Sequence, residues 1–200
     1  MATLQPGQRT SLLYSPQKRH RVLAGLSWDA RTDDVTFVGK LQGDTQHDLD
    51  ICAYIYDDEG DFIDLVTADA NEAIDESGCI YHSGDDQSGE GEGDDEAISV
   101  ELLNLPDEIH DIFFLIEVQS NHFLGDIAEI SMRIADGLTD NELLYIEVDD
   151  PKAKEAIAFT FAHIYRSEES GTGWMLHYIG ECPDTDSVDN WGDYFKQYLS

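Results

Sequence analysis

Residues 48–56 alternate without a break. Leu49, Ile51, Ala53 and Ile55 share one face of an extended chain, while Asp48, Asp50, Cys52, Tyr54 and Tyr56 share the other. A period of two does not sit on a helix, so this stretch predicts a strand with one core face and two aspartates projecting from its start. The same short, β-branched and aromatic pattern recurs at 10–14, 21–28, 62–66, 97–103, 112–119, 127–134, 143–148, 156–165 and 174–179. Turn signals separate the runs: Asp58-Glu59-Gly60, Pro106-Asp107, Ala135-Asp136-Gly137, Asp149-Asp150-Pro151 and Ser170-Gly171. About ten strands at this spacing predict an all-β fold, a β-sandwich rather than alternating βαβ units.

Helical signals are few. Residues 68–76 suit a short helix or a loop, and 189–199 predict a short C-terminal helix with Trp191, Tyr194, Phe195 and Tyr198 on one side. The polar stretch 181–187 with Pro183 reads as a linker. The expected organisation is therefore a sandwich over 1–180 and an acidic linker with a helical tail over 181–200.

Charge narrows the function. The chain of 200 residues carries 43 acidic and 11 basic side chains, a net charge of −32. Between Leu41 and Asp150 stand 32 acidic residues and one basic residue, Arg133, whereas Arg9, Lys18, Arg19, Arg21 and Arg31 crowd the first 31 positions. Such a surface repels phosphate backbones and anionic lipids, so no nucleic acid and no direct membrane contact is expected; cations and basic partners are favoured. A salt-adapted surface would account for the overall excess but not for its local clustering. Cys52, Cys79 and Cys182 have no C-x-x-C spacing, which argues against a disulfide framework or a thiolate zinc site. The first residues carry no signal-peptide pattern and no window reaches ~18 apolar residues, so the expected location is cytoplasmic.

One segment stands apart. Residues 83–96, Ser-Gly-Asp-Asp-Gln-Ser-Gly-Glu-Gly-Glu-Gly-Asp-Asp-Glu, hold seven carboxylates and four glycines with no basic group. Glycines let the backbone fold tightly and turn oxygens toward one point, and Ca²⁺ takes about 6–8 oxygens. The absence of His and Cys from the loop disfavours zinc or copper within it. By composition alone a flexible acidic linker fits equally. No register gives an EF-hand loop.

The loop resembles the signature of the TerD-type family of tellurium-resistance and stress-response proteins, G-D-N-x-T-G-x-G-x-G-D-D-E. It matches at Gly84, Asp85, Gly89, Gly91, Gly93, Asp94, Asp95 and Glu96, with Asp86 in place of Asn and Ser88 in place of Thr. Leu4-Gln5-Pro6-Gly7-Gln8 with Ser11-Leu12, Gly25-Leu26-Ser27-Trp28-Asp29 and His47-Asp48-Leu49-Asp50-Ile51-Cys52-Ala53 resemble further family stretches in the same order. The resemblance implies a β-sandwich that binds calcium at one end, with no known catalytic role. Side-chain ligands are then expected among Asp85, Asp86, Asp94, Asp95 and Glu96, joined by Asp48 and Asp50 from the strand start and by Asp29. Gly91 and Gly93 are expected to offer carbonyls. About ten donors exceed one calcium shell, so two ions are expected. The function this implies is a calcium-binding module of a cytoplasmic stress or tellurium-resistance response, acting through metal-ordered contacts with protein partners that the sequence leaves unidentified.

Other classes are weaker. The histidines lack H-E-x-x-H spacing, and His47 and His82, which flank the acidic segments, suit surface or packing roles. Ser83 has no nucleophile elbow. Glu101 and Glu117 on candidate strands would serve a jelly-roll glycosidase only if they faced each other. The alternatives retained are a carbohydrate-active enzyme or lectin with structural calcium, and an acidic decoy that mimics nucleic acid. The cluster Lys18-Arg19-His20-Arg21 reads as a solvated loop.

Overall fold

The computed structural model describes residues 4–12, 21–31, 46–148, 151–170 and 173–199. Eleven strands appear among them: β1 (Arg9–Ser11), β2 (Arg21–Ser27), β3 (Leu49–Tyr56), β4 (Phe62–Val66), β5 (Ile80–His82), β6 (Glu96–Glu101), β7 (Asp111–Val118), β8 (Ser131–Asp136), β9 (Glu142–Glu147), β10 (Ala158–Arg166) and β11 (Trp174–Glu181). One helical turn, α1 (Trp191–Tyr194), runs into a 3-10 turn over Phe195–Tyr198. All ladders are antiparallel, in a six-stranded sheet ordered β1-β11-β10-β7-β3-β4 and a five-stranded sheet ordered β5-β6-β2-β8-β9.

The all-β sandwich expected from the alternating pattern is what forms. Leu26, Ile51, Ile98, Phe114, Ile134 and Leu176 come from facing strands of both sheets and are all fully buried. They supply the apolar burial that holds the layers together.

Differences from expectation are local. Residues 127–134 were expected as one strand, but β8 begins at Ser131. Before it, Asp126 accepts the Phe123 N–H at 2.9 Å and closes a 3-10 turn over Leu124–Asp126, while Ile127 and Ile130 anchor the loop in the core. Residues 68–76, expected as a short helix or a loop, form turns. β5 is an extra short edge strand paired with β6. Leu13 and Tyr14 of the expected first strand lie outside the described residues, as do Lys18, Arg19 and His20.

The second face of β3 is also covered. Cys52, Tyr54 and Tyr56 pack with Phe113, Leu115, Ala158 and Ile179 under Phe195, which is fully buried. Phe195 stacks on Phe113 with centroids 4.8 Å apart. The C-terminal segment thus straps the outer face of the six-stranded sheet.

Candidate metal centre

The start of β3, the start of β6 and the end of β2 meet at one end of the sandwich, and the glycine-rich loop 83–95 is folded over that end. Its base is closed by Ser83, whose N–H reaches Ala97 O at 2.8 Å and whose hydroxyl accepts the Ala97 N–H at 2.9 Å. Its middle is closed by Asp86, whose Oδ1 accepts the N–H groups of Ser88 and Gly89 and the Ser88 hydroxyl. Gly89 adopts φ +63 against Trp28, where a β-carbon would overlap the indole.

Glu96 joins the two sheets. It is fully buried; one oxygen accepts the Ile51 N–H of β3 at 3.0 Å and the other the Asp86 N–H of the loop at 3.1 Å. His82 lies behind it. Its Nδ1 accepts the Gly84 N–H, and its Nε2 stands 3.3 Å from Glu96 Oε2. His82 thus packs beside the Glu96 carboxylate and holds the start of the loop through Gly84.

The ten residues singled out in the sequence divide into three groups. Asp48, Asp50 and Asp85 come together, each offering an oxygen within 4.8 Å of the others. Asp29, Gly91, Gly93 and Asp95 line a separate cleft of about 560 Å³ beside the end of β9, together with Glu129 and Glu147. Asp86, Asp94 and Glu96 are committed to bonds within the protein. Asp94 is held by Arg133 through a two-pronged pair, Nε to Oδ1 and Nη2 to Oδ2, each at 2.8 Å. Gly25 makes room for it, since a β-carbon there would overlap the Asp94 carboxylate.

Electrostatics mark the first group. Burial, then the carboxylates of Glu96, Asp48 and Asp85, push the Asp50 carboxyl up to about 7, against the opposing pull of His82. Burial, then Asp85, Glu96 and Asp86, also raise Asp48. Asp48 Oδ1 is buried with no hydrogen-bond partner. Asp95 is raised by burial, with the Trp28 N–H at 3.0 Å pulling the other way. For Asp86, burial works against the charge, but the donors from Ser88 and Gly89 together outweigh it and hold the carboxyl below the usual range.

Elsewhere the weighed alternatives separate. Glu101 pairs with Arg21 on the five-stranded sheet, while Glu117 accepts the Trp191 indole N–H on the six-stranded one, so they do not face each other across a cleft. Among the described residues no helix is long and apolar enough to cross a membrane.

A two-sheet antiparallel sandwich with a clamped acidic loop over one end defines the class of protein. The chain belongs to the TerD domain family, whose domain profile matches residues 1–186. It is 28% identical over 205 residues to the tellurium resistance protein TerX of Serratia marcescens, spanning 92% of this chain and 94% of that one. It is 30% identical to general stress protein 16U of Bacillus subtilis (strain 168), spanning 89% of each. Among solved structures, a Streptomyces coelicolor A3(2) homologue of the telluride resistance protein TerD superimposes with a TM-score of 0.66, covering 92% of this chain and 99% of that chain at 21% identity.

Proposed function

We propose that this TerD-family protein is a calcium-binding module of a cytoplasmic stress or tellurium-resistance response, without catalytic activity of its own. The observation that carries the reading is the Asp48–Asp50–Asp85 cluster with its buried, unpartnered Asp48 Oδ1. Three carboxylates this close repel one another unless a cation or protons intervene. The donor set is oxygen only, as hard cations require, and Ca²⁺ tolerates irregular shells better than Mg²⁺ does. A second ion is assigned to the cleft that Asp29, Gly91, Gly93 and Asp95 line, where the two glycines would offer carbonyls.

Calcium supplies charge neutralisation here. The chain's own residues do the positioning: Glu96 fixes the loop to β3, and Asp86 fixes its turn. The neutralised loop then presents a formed surface to a protein partner. The relatives named for tellurium resistance and general stress support the physiological setting.

Isothermal titration of chelator-stripped protein tests this. Uptake of calcium that is lost in Asp48→Asn and Asp50→Asn is the expected result, and unchanged uptake in a folded variant removes the ligand assignment. Pull-downs with and without chelator test the partner step; identical recovery would remove it.

A further inference from the structure

Among the described residues, six buried side-chain atoms have no hydrogen-bond partner, and they fall in two places. Gln46 Oε1, His47 Nδ1, Asp48 Oδ1 and His82 Nε2 belong to the acidic end. The other two are the Nδ1 atoms of His163 and His177, on the outer face of the six-stranded sheet.

His163 and His177 are directly opposed on β10 and β11, 1% and 7% exposed, with ring centroids 6.2 Å apart. The neighbours of His163 fix its tautomer. Its Nε2 lies 2.6 Å from one oxygen of Asp111, whose other oxygen meets His110 Nδ1 at 2.8 Å. A carboxylate accepts, so His163 Nε2 carries the proton and Nδ1 is a bare lone pair. Phe113 and Tyr165 both stack on the ring, with centroids 3.9 and 4.7 Å away, and restrict its rotation.

Burial favours the neutral form of both imidazoles. Burial, then Arg9 and His163, push His177 down to about 4; burial lowers His163 against the pull of Asp111. A neutral imidazole whose far nitrogen is held by a carboxylate is a metal ligand with its orienting partner already in place. Met175 shares the outer face of β11 with His177, and its Sδ accepts the Ser11 hydroxyl at 3.8 Å. Arg9, the strand partner of His177, places its guanidinium 5.7 Å from the Tyr165 ring. That charge limits what can enter, since a divalent cation is repelled twice as strongly as a monovalent one. Imidazole and thioether donors together select a soft ion.

We propose that His163 Nδ1 and His177 Nδ1, with Met175 Sδ, form a site for a soft monovalent metal ion, Cu(I), separate from the acidic end. The spacing suits it: with metal–nitrogen bonds of about 2.0 Å, two imidazoles on one ion have centroids roughly 5–6.5 Å apart. Asp111 is the positioning residue, holding His163 in the ligating tautomer.

The test is an anaerobic titration with Cu(I) buffered by bicinchoninate, in the Cys79→Ser, Cys182→Ser background so that the partly exposed thiols do not compete. Calcium is kept saturating throughout. The expected result is one Cu(I) per chain, lost in His177→Phe and bound at least ~10-fold more weakly in Asp111→Asn. X-ray absorption should show a nitrogen and sulfur shell, with the sulfur removed by Met175→Leu. Melting curves of the metal-free variants confirm that each is folded. Should His177→Phe not fold, the Met175→Leu titration and spectrum decide in its place. No Cu(I) uptake, or uptake unchanged in folded His177→Phe, overturns the site and leaves the two nitrogens sharing a bridging water.

Discussion

Around Phe195, where the C-terminal segment lies on the outward side of β3, the chain completes its own bonding. Tyr56 donates to Gly192 O at 2.7 Å, Trp191 to Glu117 at 2.7 Å and Tyr198 to Glu181 at 2.9 Å, around a Phe195 that water does not reach. At the acidic end, Asp48, Asp50 and Asp85 face one another, and Asp48 Oδ1 meets no donor. Both regions are built along residues 48–56, whose outward side chains run from Asp48 and Asp50 into Cys52, Tyr54 and Tyr56. The contrast separates two uses of one strand face. One half is covered by the chain's own tail, and the other gathers carboxylates with no donor on Asp48 Oδ1.

The largest expected effect breaks the covered half. Phe195→Ala removes a fully buried ring and should cost about 3–5 kcal/mol. At roughly 2–4 °C per kcal/mol, the melting midpoint falls by about 6–20 °C. Calcium stoichiometry should stay unchanged in the folded protein; a coincident loss would show that the halves are not independent.

Next in size is calcium itself. At 100 times its dissociation constant, a site that exists only in the folded chain adds about 2.7 kcal/mol. The midpoint should rise by about 5–10 °C per saturated site, less with magnesium. Sodium at matched ionic strength is the control, and an equal rise with sodium would reduce the loop to screened surface charge.

A smaller effect concerns pH in chelator. Asp50, faced by Glu96, Asp48, Asp85 and His82, titrates near 7 when folded, against an ordinary 3.8. Between these values the folded chain binds more protons, so this group makes stability fall as pH rises from about 4 to 7. His177, faced by Arg9 and His163, titrates near 4 against 6.5. There the unfolded chain binds more protons, so its contribution is lost as pH falls through the same window. Asp50→Asn should remove the first slope and His177→Phe the second. Midpoints measured across pH 4–7 check both, and both should be smaller than the calcium effect because solvent screens half-buried groups.

The smallest effect is at the loop's ion pair. Asp94→Asn weakens the bond to Arg133, which is partly exposed, and should cost about 0.2–1 kcal/mol. Calcium titration should still find the Asp48 cluster occupied. A lost equivalent would make Asp94 a ligand in spite of Arg133.

The alternation of residues 48–56 made β3 and its two aspartates legible, because a period of two reports directly on which face is buried. β5 was not legible: three residues between Cys79 and Ser83 are too few to show a period, and they become a strand only because β6 offers an edge. The run 127–134 overreached because Ile127 and Ile130 are buried from a loop, and apolar identity alone does not distinguish a loop anchor from a strand. In the site, residue types were readable but commitments were not. Glu96 and Asp48 are equally acidic on paper, yet one is used up by two backbone N–H groups and the other meets none. One signal was available: Arg133, the single basic residue between Leu41 and Asp150, had to find some carboxylate. It found Asp94, 39 positions away.

The double grip of Glu96 also bears on how this loop can be engineered. Asp86 and Ile51 are tied to the two oxygens of one side chain, so the path from Asp86 to Glu96 is anchored at both ends. Glu90, Gly91 and Glu92 at the tip are exposed. A reporter peptide spliced into the tip lengthens a segment whose ends stay fixed, and such exposed tips tolerate insertion, at the cost of moving Gly91 from the cleft it lines while the Asp48–Asp50–Asp85 cluster is left in place. The same peptide spliced after Asp94 would pull Glu96 out of register with Ile51 and part the two sheets at this end. The loop is thus a graft site with a usable crown and a forbidden stem.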